Sequence, residues 1–230
     1  HETSIRVCVS LLDSLMTLAG ELVLCRNQLI QTLSSNSFND AETVGQRIDL
    51  ITSELQEAIM LTRMQPIGNV FSKFPRAIRD LSGALKKKID LSIQGKDVEL
   101  DKTIIESISD PLTHLIRNAA INGIELPEDR SKTGKEEVGQ ISLRAFHEAG
   151  QVVIEIEDDG RGIDGNAIAV KALNKGIVTG EQLQKLTENE KQKFIFLPGM
   201  TTSEEVNETS DLNVDMDVVK SSLDKLGGNI

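Results

Sequence analysis

The sequence predicts an α+β fold: a helical hairpin first, then helices packed on one face of a mixed sheet. Three observations predict it. Near the start, Leu11, Leu15, Leu18, Leu22, Cys25 and Leu29 recur by fours and threes, beside a second stripe of Leu12, Met16, Ala19, Val23, Ile30 and Leu33. In the middle, Leu112, Leu115, Ile116 and Ala119 mark one face of a helix. Next, Ile141, Leu143 and Ala145, then Val152, Ile154 and Ile156, alternate on either side of Glu148-Ala149-Gly150, the pattern of a β-hairpin.

Taken in order, residues from about 8 to 34 form a first long helix. Two adjacent stripes make an apolar face too wide for one partner helix, so this helix needs two or more neighbours. The run Ser34 to Asp40 is turn-rich, and Asp40 can cap a second helix with a single stripe of Val44, Ile48, Ile51, Leu55 and Ala58. A lone two-helix hairpin buries little surface. Pairing with a second copy into a four-helix bundle is the natural solution.

Met64-Gln65-Pro66-Ile67-Gly68 breaks the helix and reads as a hinge, dividing the chain into residues 1–66 and 67–230. Phe71, Phe74, Ile78, Leu81 and Leu85 resume helical spacing, and Lys86-Lys87-Lys88 reads as a solvated helix end. Ile89, Leu91 and Ile93 alternate as a strand, and a helix spans Leu100 to Gly123. A loop holding Pro127 and Gly134 leads into the hairpin, where His147 is a strand-end histidine.

Composition narrows the function. The net charge of −11 disfavours nucleic acid and anionic membrane surfaces, which attract basic patches. Trp and Tyr are absent and Phe numbers six, which removes the usual stacking platforms for single strands. No run of eighteen apolar residues occurs, so no membrane insertion is expected. Cys8 and Cys25 lie too far apart along one helix to bridge, and read as reduced thiols of a cytoplasmic protein.

Two stretches carry chemistry. Ile154 to Asp164 is an alternating strand that ends in Asp158 and continues as Gly160-Arg161-Gly162, a carboxylate acceptor beside backbone able to approach a flat ligand. Upstream, His114 and Asn118 stand four apart, side by side on a helix. An Asn and a His facing a strand-end carboxylate suit a metal-bound polyphosphate and its base.

Asp110 to Glu125, Asp158 to Gly162, Phe196 to Thr202 and Met216-Asp217-Val218-Val219 stand in the order of the ATP-binding boxes of chemotaxis histidine kinases of the CheA family, which this chain resembles. Ser4 to Val7 and Leu18 to Leu29 resemble that family's dimerisation domain. The resemblance implies an α/β-sandwich ATP-binding domain of the histidine kinase/Hsp90 type, incomplete at its C-terminal end. It implies that Asp158 accepts from the adenine amino group, with Gly160 and Gly162 beneath the base. Asn118 is the implied Mg²⁺ ligand, and His114 stands near the γ-phosphate as the catalytic residue. The γ-phosphate then goes to a histidine on a separate phosphoacceptor domain. Implied partners are a second copy through the front helices, a response regulator, and receptor or adaptor proteins.

Two departures from the family pattern stand out. Ile121-Asn122 replaces an Asp-His pair, and Asp211-Leu212-Asn213-Val214-Asp215-Met216-Asp217 replaces Gly-Arg-Gly-Val-Gly-Met-Asp. Those glycines let lid amides wrap a triphosphate. A side chain forced to positive φ costs about 1–2 kcal/mol, and each carboxylate near the phosphates adds roughly 1–3 kcal/mol of repulsion. Two readings therefore stand: a kinase core that phosphorylates in trans, and a dimerising pseudokinase or scaffold with little ATP turnover.

Overall fold

A computed structural model describes residues 7–35, 38–183, 186–200 and 216–230. Ser4 to Arg6, part of the turn after Ser34, Thr201-Thr202 and the lid positions Asp211 to Asp215 lie outside the described residues. In chain order the elements begin with α1 (Val9–Ser34), α2 (Phe38–Leu61), β1 (Met64–Pro66), α3 (Gly68–Phe71) and α4 (Phe74–Leu85). Next come β2 (Lys88–Gln94), β3 (Glu99–Asp101) and α5 (Lys102–Asn118), which widens into a π-helical turn at Ala119–Gly123. After these stand α6 (Pro127–Lys132), β4 (Val138–Glu148), β5 (Gln151–Asp158) and α7 (Gly165–Asn174). The last are α8 (Gly180–Leu183), α9 (Glu188–Gln192), a 3-10 turn (Lys193–Phe196) and α10 (Met216–Lys225).

The chain divides into two compact units, His1–Gln65 with Glu99–Lys102, and Pro66–Val98 with Thr103–Ile230. In the first, α1 and α2 form the helical hairpin. The two stripes of α1 have opposite fates. Leu11, Leu15, Leu18, Leu22 and Leu29 are half-buried and Cys25 is buried, whereas Leu12, Met16, Ala19, Val23, Ile30 and Leu33 are all exposed. The stripe of α2 turns inward, with Ile51 and Ala58 buried. The stretch expected as a hinge begins as a strand, and the division between the two units falls within it: β1 pairs with β3, the Lys102 N–H donates to the Arg63 carbonyl (3.1 Å), and Arg63 meets Asp101 at 3.4 Å. An extended backbone before and at Pro66 suits an edge strand, since proline holds φ and needs no ladder partner for a missing N–H.

The second unit is built on a three-stranded sheet in the order β2-β4-β5. β2 runs parallel to β4, with Leu91 opposite Ile141, and β4 runs antiparallel to β5, with Leu143 opposite Ile156. On β4 alternation works as expected: Ile141, Leu143 and Ala145 are buried, and His147 at the strand end is exposed; on β5 the residues from Val152 to Ile156 are all half-buried, Ile154 and Ile156 lining a cavity. On α5, Ile105, Ile108, Leu112 and Ile116 are buried. The segment from Pro127, expected as loop, contains α6. Pro127 opens the helix, Glu128 and Asp129 occupy its first turn and Arg130 and Lys132 its last, each charge matched to the dipole. The lysine run also differs from expectation. Lys86 ends α4 with φ of 54°, Lys88 opens β2, and Lys87 is half-buried rather than solvated.

Candidate functional site

The site begins where α5 stops being an α-helix. Ala119–Gly123 continues as a π-turn, in which the Ile124 N–H donates to the Ala119 carbonyl at 2.9 Å. π-turns cluster at functional sites because the extra residue re-aims the chain beyond it. Here Lys87 satisfies the freed carbonyls: its Nζ donates to Ala120 O (2.9 Å) and Ile121 O (2.6 Å). Burial, helped by the Arg161 charge, holds the Lys87 ammonium below its usual range.

The π-turn delivers Gly123 to the end of β5. The Arg161 N–H donates to the Gly123 carbonyl at 3.0 Å, and the Gly160 N–H donates to Asp158 Oδ1 at 3.0 Å. A Cβ on Gly160 would lie 2.2 Å from the Gly123 carbonyl, and one on Gly123 would lie 2.7 Å from Asp158 Oδ1. Gly162 turns the chain with φ of +71°, a conformation that favours glycine. Asp164 then caps α7, its Oδ1 accepting from the amides of Asn166 and Ala167 at 3.0 Å each.

Behind this turn stands a charged cluster that sequence reasoning misses. Arg130 is 1% exposed. It donates to Glu125 Oε2 (3.1 Å), Asp159 Oδ2 (2.7 Å) and the carbonyls of Glu136 (2.7 Å) and Asp159 (3.3 Å). Lys135 Nζ adds Glu125 Oε1 (2.9 Å) and the carbonyls of Asp159 (3.0 Å) and Gly160 (2.8 Å). Burial pushes the Glu125 carboxyl up, but the Lys135 and Arg130 hydrogen bonds outweigh it and hold it below its usual range. The signal available in the sequence is the doubled carboxylate Asp158-Asp159, of which the motif uses only the first.

A cavity of about 1070 Å³ opens along the C-terminal half of α5, β5 and the start of α7. Asn118, Asp158 and Gly162 line it, together with Arg161, Phe196 and Met216. Stretches from all four quoted motifs thus meet around one space. Asn118 Nδ2 donates to the Met216 sulfur at 3.2 Å, joining the first motif to the last. Gly160 lies just behind the wall, packed on Gly123. His114, one turn back on α5, is half-buried and is not among the lining residues.

The cavity suits a nucleotide on two grounds. Its volume is at the large end of the range for small-molecule sites, and its glycine-lined corner leaves backbone where any Cβ would intrude. For a metal the donors are sparse: among the described residues no group of three His, Cys, Asp or Glu side chains could hold an ion. One amide oxygen, that of Asn118, fits a Mg²⁺ held chiefly by substrate phosphates and water.

The site is thus a glycine-cornered cavity of nucleotide size between a helix and the end of an antiparallel hairpin. Residues 107–230 match the family described as "Histidine kinase-, DNA gyrase B-, and HSP90-like ATPase", more than half the chain, and residues 2–62 match "Signal transducing histidine kinase, homodimeric domain". The chain is 44% identical over 237 aligned positions to the sensor histidine kinase CheAY of Helicobacter pylori, covering 100% of this chain and 30% of that protein. It is 43% identical to the chemotaxis protein CheA of Bacillus subtilis over 227 positions (99% of this chain, 34% of that one). Identity to the CheA of Salmonella typhimurium is also 43%, over 239 positions (100% and 34%). The chain belongs to the CheA family of chemotaxis histidine kinases, and spans about a third of the length of these relatives.

Proposed function

We propose that this chain is the dimerising, ATP-binding core of a chemotaxis-type histidine kinase, passing the γ-phosphate of ATP to a histidine on a separate phosphoacceptor domain. The observation that carries the reading is the Asp158–Gly160–Gly123 corner, a carboxylate facing a cavity of nucleotide size beside closely packed glycine backbone. Asp158 accepts from the adenine amino group; Gly160 and Gly162 pass beneath the base. Asn118 offers its amide oxygen to Mg²⁺, which when bound neutralises phosphate charge. His114, standing back from the cavity wall, acts on turnover rather than on affinity. Two copies pair through the exposed stripe of α1. Residues 1–66 are the dimerisation domain and residues 67–230 the nucleotide domain. A response regulator and receptor or adaptor proteins are its signalling partners in the cytoplasm, a setting that suits the free Cys8 and Cys25.

The lid sequence favours a second reading. Asp211, Asn213 and Asp215 stand where the family pattern has glycines, which favours a pseudokinase or scaffold with little turnover. Labelled ATP, incubated with this chain and an isolated phosphoacceptor domain, separates the two. Phosphohistidine forming at a rate that depends on this chain supports the kinase. Nucleotide binding without label transfer supports the scaffold, and no nucleotide binding at all removes the kinase.

A further inference from the structure

We propose that Arg130 is a positioning residue for base recognition: its buried guanidinium, held between Glu125 and Asp159, fixes the turn Asp158–Gly160 and so keeps the Asp158 carboxylate aimed across the cavity. The inference rests on the reading of Asp158 as the adenine acceptor.

The network grips one side only. Asp158 faces the cavity, and its carboxylate is tied to the turn by the Gly160 N–H, so its direction depends on the backbone of Asp159 and Gly160. That backbone is held from behind. Arg130 reaches the carbonyl and carboxylate of Asp159, and Lys135 reaches the carbonyls of Asp159 and Gly160. The other Asp159 oxygen, Oδ1, accepts from the Gln140 N–H at 2.9 Å, while the Asp159 N–H donates to the Gln140 carbonyl at 3.1 Å. All three Asp159 oxygens are thus engaged. Glu125 completes the grip from the chain just past the π-turn, and the Ile124 beside it is fully buried. Arg130 therefore ties the two walls of the corner, the π-turn and the strand end, to a single planar group that stays charged at any working pH.

The test uses the whole 230-residue chain. Affinities for ADP and for purine riboside 5′-diphosphate, which lacks the exocyclic amine, are measured by calorimetry for wild type, Arg130→Met and Asp159→Asn. In the wild type a hydrogen bond to a charged acceptor makes ADP the tighter ligand by about tenfold or more. In the variants that preference drops below about threefold, while affinity for the purine nucleotide holds. A residue that only stabilises the fold lowers the melting temperature and leaves the preference intact. A wild-type preference retained by the folded variants overturns the inference. Should Arg130→Met fail to melt cooperatively, Asp159→Asn decides alone, being isosteric and at the more exposed end of the pair, with 42% of its side chain accessible. A wild type that does not distinguish the two ligands removes the base-acceptor reading of Asp158 itself, a separate result.

Discussion

The backbone of Gly160 lies against that of Gly123 so closely that a Cβ built on Gly160 falls 2.2 Å from both the carbonyl carbon and the carbonyl oxygen of Gly123. The atoms in the way are backbone, held by the Arg161 N–H and by the π-turn, so no side-chain rotation relieves the clash. Gly160→Ala is expected to push the two walls apart. Overpacking of this kind costs about 1–3 kcal/mol. Thermal melting should show that loss, and calorimetry should show ADP binding weakened at least about tenfold, the equivalent of 1.4 kcal/mol. Unchanged binding would mean the corner is not where the base sits.

The exposed stripe of α1 predicts assembly. Val23 is 47% and Met16 74% exposed in the single chain, although both stand on the apolar face of a long helix. Val23→Glu should leave the hairpin intact, because Val23 faces away from α2, and should break the pair. Burying an unpartnered carboxylate costs several kcal/mol. Sedimentation should find a dimer for the wild type and a monomer for the variant, with equal helix content by circular dichroism. A wild-type monomer at micromolar concentration ends the four-helix-bundle reading.

The lid predicts an unusual nucleotide preference. Acidic residues where glycines are expected should leave ATP no tighter than ADP, with little gain from Mg²⁺. Asp211→Gly, Asn213→Gly and Asp215→Gly together relieve up to about 1–3 kcal/mol of repulsion per carboxylate, and should raise ATP affinity more than ADP affinity. Strong ATP preference in the wild type would instead favour the active kinase.

Acid should loosen the Arg130 cluster through Glu125. Its folded-state carboxyl lies below the ordinary 4.5, so the group adds stability that is complete above that value and lost as pH falls through the folded one. Denaturation of wild type and Glu125→Gln at neutral pH should show the wild type ahead. The gap should narrow steadily below about pH 4.5, as linkage requires. A gap that is constant with pH would mean Glu125 acts by packing alone.

Much of this is legible in the sequence because period and spacing are local properties. The stripe of α2, the alternation of β4, and the apolar face of α5 all come from which residues water repels. The meeting of Asn118, Asp158, Phe196 and Met216 is legible only through their order along the chain. The features that escape depend on contacts without a periodic signature. Lys87 reads as solvated because nothing local says that two freed carbonyls of a π-turn lie 33 and 34 residues away. The pairing of β1 with β3 spans a similar gap. Arg130 escapes for the same reason: α6 is only six residues long, and its importance lies in the turn it holds from behind.

The π-turn at Ala119–Gly123 also bears on how this chain can change. A π-turn accommodates one residue more than an α-helical turn of the same rise, so it acts as a phase shift between α5 and the chain beyond it. Wound instead as an α-helix with the same residues, the stretch would turn Gly123 by about 100° relative to α5, at 3.6 residues per turn. The glycine would then leave the end of β5, and the corner would be lost although every side chain of the four motifs remained. The corner therefore depends on how this stretch is wound as much as on the glycine at its end.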